Sequence, residues 1–157
     1  MKISIRKGFG FGLTSGIITT LGMVVGLDSG THLKTVVLGG IFIIAIADAL
    51  SDALGMHISE EYEAKHKTSE IWEATLATFF TKLIVALTFV VPVLFLELST
   101  AIIASIIWGL SLIIIFSYFI AKQDKTNPVP VIGEHLVIAV AVIIATHFVG
   151  DLVALLS

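Results

Sequence analysis

Val36-Val-Leu-Gly-Gly-Ile-Phe-Ile-Ile-Ala-Ile-Ala-Asp48-Ala-Leu-Ser-Asp52-Ala-Leu-Gly55-Met56-His57 is apolar and long enough to cross a bilayer as a helix, yet it carries two aspartates. A hydrocarbon core of ~30 Å takes ~20 helical residues to span. One Asp at the centre of such a helix costs ~2.5 to 3.5 kcal/mol on insertion scales, so the pair demands a cation, a proton or a basic partner. The chain continues through Ile58-Ser59 into Glu60-Glu61-Tyr62-Glu63, a string of further oxygen donors.

The rest of the sequence has the same character. Of 157 residues, 57% are hydrophobic and only 13% charged, which places the chain among integral membrane proteins. Mean hydropathy is +1.06. Five stretches qualify as spans: 9–27, 36–57, 74–96, 100–121 and 135–156. They are joined by loops at 28–35, 58–73, 97–100 and 122–134, the last holding Pro128 and Pro130 as helix breakers. The expected fold is all-α, a single transmembrane domain of five helices with antiparallel neighbours. The first apolar run follows Lys2, Arg6 and Lys7, is as long as a full span and lacks a small-residue cleavage pattern, so it is expected to remain in the mature protein. Lys65, Lys67, Lys122 and Lys125 fall in the second and fourth loops, whereas the other side has only Lys34. This asymmetry puts the N-terminus in the cytoplasm and the C-terminus outside. The expected location is the plasma membrane of a prokaryote.

Several classes are excluded. Without cysteine there is no thiolate site or iron-sulfur cluster, so metal chemistry must use oxygen, imidazole or thioether donors. A net charge of −3 gives no reason to expect nucleic acid. An enzyme is not expected either. Intramembrane aspartyl hydrolysis needs two Asp side chains facing each other to share a proton, and Asp48 and Asp52 lie on one helix. No permanently bound cofactor is implied.

At 100° per residue, Asp48, Asp52, Met56, Glu60 and Glu63 share one helix face and form a ladder from mid-membrane to the cytoplasmic loop. Carboxylates suit hard divalent ions, and a thioether beside them biases toward first-row transition metals. Counting ~1.5 Å per residue puts Asp52, Ser15 of the first span and Lys82 of the third at comparable depth, where they can share a pocket. Lys82 has two readings here: a member of an ion pathway, or the base of a buried ion pair that fixes helix register. The second loop adds Glu70 and Glu73, beside His57 and His66, as a mouth that gathers cations; a solvated turn of Glu and Lys neighbours is the plainer reading. His147 and Asp151, four apart near the outer end, form an exit or proton-handling pair, or else interfacial polar caps. Gly8, Gly12, Gly16, Gly22 and Gly26 let another helix approach closely, either a second copy in a homodimer or a neighbour within the chain.

Gly12-Leu-Thr-Ser15-Gly16-Ile-Ile-Thr-Thr-Leu-Gly-Met-Val-Val-Gly26-Leu27 resembles the Gly-Leu-Ser-Asp-Gly-Leu segment, ending in Ala-Gly-Leu, of the vacuolar iron transporter family. Ala49-Leu50-Ser51 with Gly55 and the acidic exit is similar to that family's second helix, and Val90-Val91-Pro92 and Ala145-Thr146 through Gly150 are weaker echoes. The resemblance implies a five-span homodimer that exports Fe2+ or Mn2+ from the cytoplasm in exchange for protons, along a dimer-interface pathway lined by the first two helices. Three departures mark this chain as divergent. Ser15 stands where the family has an intramembrane Asp, Asp52 stands where it has Met, and the cytoplasmic metal-binding insert shrinks to 59–73. Asp in place of Met suits a harder ion such as Mn2+, or a broader divalent range. The alternative, from another class, is a non-transporting membrane scaffold or subunit in which Asp48, Asp52 and Lys82 form a structural network.

Overall fold

The structure, a computed structural model, describes residues 2–63 and 67–156. His66, counted above among the mouth residues, lies outside them. Every regular element among the described residues is helical: α1 (Ile3–Thr31), α2 (Lys34–Tyr62), α3 (Thr68–Thr88), α4 (Val90–Phe95), α5 (Leu98–Gln123) and α6 (Pro128–Ala154). Five helical segments are long and apolar enough to cross a membrane, with α3 and α4 together making the third.

The helices outrun the expected spans. α1 starts at Ile3, and α2 and α3 take up most of the segment read as the loop 58–73. At that junction the Lys67 amide donates to Glu70 Oε2 at 2.9 Å, satisfying one of the free N–H groups at the start of α3 and letting the helix begin early. The third span is broken at Phe89 for a local reason. Pro92 has no N–H to give the Thr88 carbonyl four residues back, and its ring crowds that carbonyl. The Phe89 amide turns instead to Ala86 O at 3.1 Å, and Trp108 Nε1 of α5 donates to Thr88 Oγ1 at 2.9 Å across the break. The connections end in recognisable caps. His32 closes α1 in the left-handed region at φ 50°, Lys34 Nζ donates to the carbonyls of Leu94 and Leu96 at the end of α4, and Asn127 accepts from the Val129 amide ahead of α6.

α1 is the central strut, packed against α2, α3, α5 and α6. Its Leu13, Ile17, Leu21 and Val24 meet Val37 and Ile41 of α2, Val85 of α3, Val93 of α4 and Ile113 of α5 in the apolar core. The row Gly8, Gly12, Gly16, Gly22 and Gly26 of α1 is occupied within the chain, whereas a Cβ on Gly10 would meet nothing within 4 Å. A Cβ on Gly12 would sit 2.5 Å from the Thr78 carbonyl oxygen of α3, and one on Gly8 would run into the Ala74 carbonyl. Gly22 faces the Val142 and Thr146 side chains of α6, and Gly26 the Thr146 carbonyl. Outward faces are apolar: Ile43, Ile46 and Leu50 of α2, and Val137, Ile144 and Phe148 of α6, are exposed. Such faces suit hydrocarbon, where association comes from close packing and not from water expulsion.

Candidate functional site

The intramembrane polar groups meet at the α1, α2 and α3 junction. Ala45, Ala49 and Ala53 of α2 are buried against its neighbours, which turns the adjacent edge, carrying Asp48, Asp52 and Met56, partly inward. Opposite, Gly16 brings α1 so close to α3 that a Cβ there would lie 3.3 Å from both Cα and Cγ of Lys82. The lysine stem is thereby pressed along α1, and the residue is only 1% exposed.

Its ammonium lies between both acids. Lys82 Nζ donates to Asp52 Oδ2 and, at 2.9 Å, to Ser15 Oγ; Ser15 Oγ in turn donates to the same Asp52 oxygen at 2.6 Å. Asp48 Oδ2 forms an ion pair with the same ammonium at 2.6 Å. Lys82 thus pairs with both aspartates. The carboxylates are not sealed: the Asp48 and Asp52 side chains keep 28% and 20% of their surface open. Met56 follows one turn below Asp52, half-buried on the same edge.

At the N-terminal end of the bundle the glutamates are engaged with α1. Lys7 Nζ donates to Glu60 Oε1 at 3.1 Å and to Glu63 Oε2 at 3.4 Å, while Lys2 and Ser4 both donate to Glu73. The hydrogen bond to Glu73, and after it that carboxylate's charge, hold the Lys2 ammonium above the usual lysine range. Glu60 is buried, and with Glu70, Lys2 and Lys7 it lines an open cleft of about 360 Å³. Glu60, Glu63, Glu70 and Glu73 therefore lie at one end of the bundle, well away from the Lys82 cluster. Among the described residues no three His, Asp or Glu side chains converge as a set able to hold a metal ion.

At the opposite end, His147 Nε2 approaches Asp151 Oδ2 at 3.5 Å, and its Nδ1 is hydrogen-bonded to Ser29 of α1. Ser29 has no motif around it and escaped the sequence reading. The same holds for Thr75, bonded to His57 Nδ1 at 2.9 Å, and for Ser117, bonded to His135 Nδ1 at 2.8 Å. A lone hydroxyl becomes visible only when a facing imidazole is known. Lys2 and Lys7 carried a topology signal in the sequence, and nothing in their spacing singled out their glutamate partners.

Compared with models of known protein families and with curated proteins, the chain matches neither.

Proposed function

We propose that this protein is a divalent-cation transporter that exports Fe2+ or Mn2+ from the cytoplasm in exchange for protons, with the ion passing the Asp48 and Asp52 carboxylates. The observation that carries the proposal is a charge imbalance: two acids and one base, inside an apolar bundle, with both acids still partly open. One negative charge is left over where ionisable groups ordinarily mark an ion or proton route. Ser15 and Met56 add an oxygen and a sulfur donor beside the pair, a mixture that fits first-row divalent ions. Glu60, Glu63, Glu70 and Glu73 form the acidic approach at the end bearing the N-terminus, which the lysine and arginine distribution assigns to the cytoplasm. The resemblance of α1 and α2 to the vacuolar iron transporters supports the direction of transport and the counter-ion. The active form is a homodimer whose second copy covers the open side of the carboxylates. On that side, Ala47, Ser51 and Gly55 of α2 are exposed small residues at four-residue spacing.

A structural reading rests on a different observation, the simultaneous contact of Lys82 with both aspartates. Uptake of Mn2+ or Fe2+ into proteoliposomes separates the two. The parent protein is expected to carry the ion and Asp52→Asn to lose most of the flux, with added Mn2+ raising the unfolding temperature of the parent but not of the variant. Equal flux in parent and variant would overturn the transport reading in favour of the scaffold.

A further inference from the structure

The position of Lys82 bears on how tightly a cation is held. We propose that its ammonium is a tethered occupant of the carboxylate pair, which keeps the site at a single net negative charge and so holds divalent affinity low enough for release. The inference rests on the transport reading above and assigns Lys82 as an affinity-setting residue within it.

Three features carry it. The groups an incoming ion would use, both carboxylates and the Ser15 hydroxyl, are the partners of the ammonium. The lysine is buried and its stem is confined against the α1 backbone at Gly16, so its charge is neither screened by water nor free to drift. Among the described residues no other ion pair reaches Asp48, Asp52 or Lys82, so these three charges alone fix the balance. Attraction between an ion and its site scales with the product of their charges and is strong where water is excluded. A dication facing two uncompensated carboxylates would be held strongly; with a fixed ammonium among them it meets half the net charge. A transport site must bind well enough to be entered and weakly enough to be left. A lysine serving only as a register pin would add stability without opposing the ion.

Titration calorimetry with Mn2+ on the purified proteins, together with proteoliposome uptake over a range of Mn2+ concentrations, tests the assignment. Lys82→Gln is expected to bind Mn2+ at least about tenfold more tightly than the parent and to reach a lower maximal flux. That split between affinity and turnover is one a structural pin would not produce. Should Lys82→Gln fail to fold with two uncompensated acids, Asp48→Asn is compared with Asp48→Asn, Lys82→Gln, where a neutral site gives way to a singly negative one. About tenfold tighter binding by the double variant is again expected. Folded variants that bind no more tightly than their lysine-bearing counterparts overturn the role of Lys82 while leaving transport intact. A parent protein that moves no Mn2+ or Fe2+ overturns the transport reading, whatever the lysine variants do.

Discussion

Ser15 is a hydroxyl used both ways, donating a hydrogen bond to Asp52 and accepting one from Lys82. Hydrogen bonds to charged groups contribute ~1.5 to 3 kcal/mol, about twice the neutral value. Ser15→Ala is therefore expected to lower stability by ~1.5 to 3 kcal/mol, read as a fall in the thermal unfolding midpoint in detergent. Thr14→Ala is the control. Its hydroxyl donates to the Gly10 carbonyl at 2.9 Å within its own helix, and its loss should change stability by less than ~0.5 kcal/mol. Equal losses in the two variants would remove Ser15 from the charge network. This cluster was legible in the sequence because each member lies inside a span, where a fixed rise per residue converts position into depth. The partners of the terminal glutamates were not legible, because which helix ends touch depends on how the whole bundle packs. Asp28, Asp48 and Asp52 are all nearer to Lys7 in sequence than Glu60 is.

Among elements, the α1 and α3 contact is the one that builds the site, since it sets the distance at which Lys82 passes Gly16. Gly12 lies one turn earlier on the same seam. A methyl there would sit 2.5 Å from the Thr78 carbonyl oxygen, and a backbone atom cannot step aside as a flexible side chain can. Gly12→Ala is expected to cost ~1 to 3 kcal/mol by forcing the helices apart, and to lower metal uptake with it. Gly133→Ala on α6 meets nothing within 4 Å and should be neutral or slightly stabilising. The check is chemical unfolding of the two variants side by side. Five spans were readable from hydropathy alone, since the bilayer demands a minimum apolar length. Their ends were not, because polar residues extend helices past the apolar core wherever a cap such as Glu70 satisfies the first turn. The break at Phe89 was announced only by Pro92, a residue that membrane helices tolerate without breaking. Likewise, the row of glycines in α1 showed that some helix comes close without naming it; α3 and α6 fill that place.

At the scale of the molecule, the open side of the carboxylates is the unresolved account in a single copy. Hydrocarbon against Asp48 and Asp52 would cost ~2.5 to 3.5 kcal/mol for each acid, whereas a protein surface laid over them would supply polar contacts and exclude lipid. A second copy placed symmetrically brings the same patch against itself, so a residue near the axis meets its own counterpart. Ser51 is such a residue in the proposed dimer: it is exposed, lies midway between Ala47 and Gly55, and sits one position from Asp52. The chain has no cysteine, so single replacements report without background. Ser51→Cys is expected to give an oxidant-dependent, reductant-reversible species of twice the chain mass on a denaturing gel, because small residues on both copies permit the Cα separation of ~4.4 to 6.8 Å that a disulfide needs. Val137→Cys, also exposed but on the apolar face of α6, is expected to stay monomeric on the gel. The reverse pattern would place the second copy on α6 and leave the acids of α2 facing lipid. In that event Lys82 alone would have to compensate them, and the pair would be better described as a pinned network than as a path.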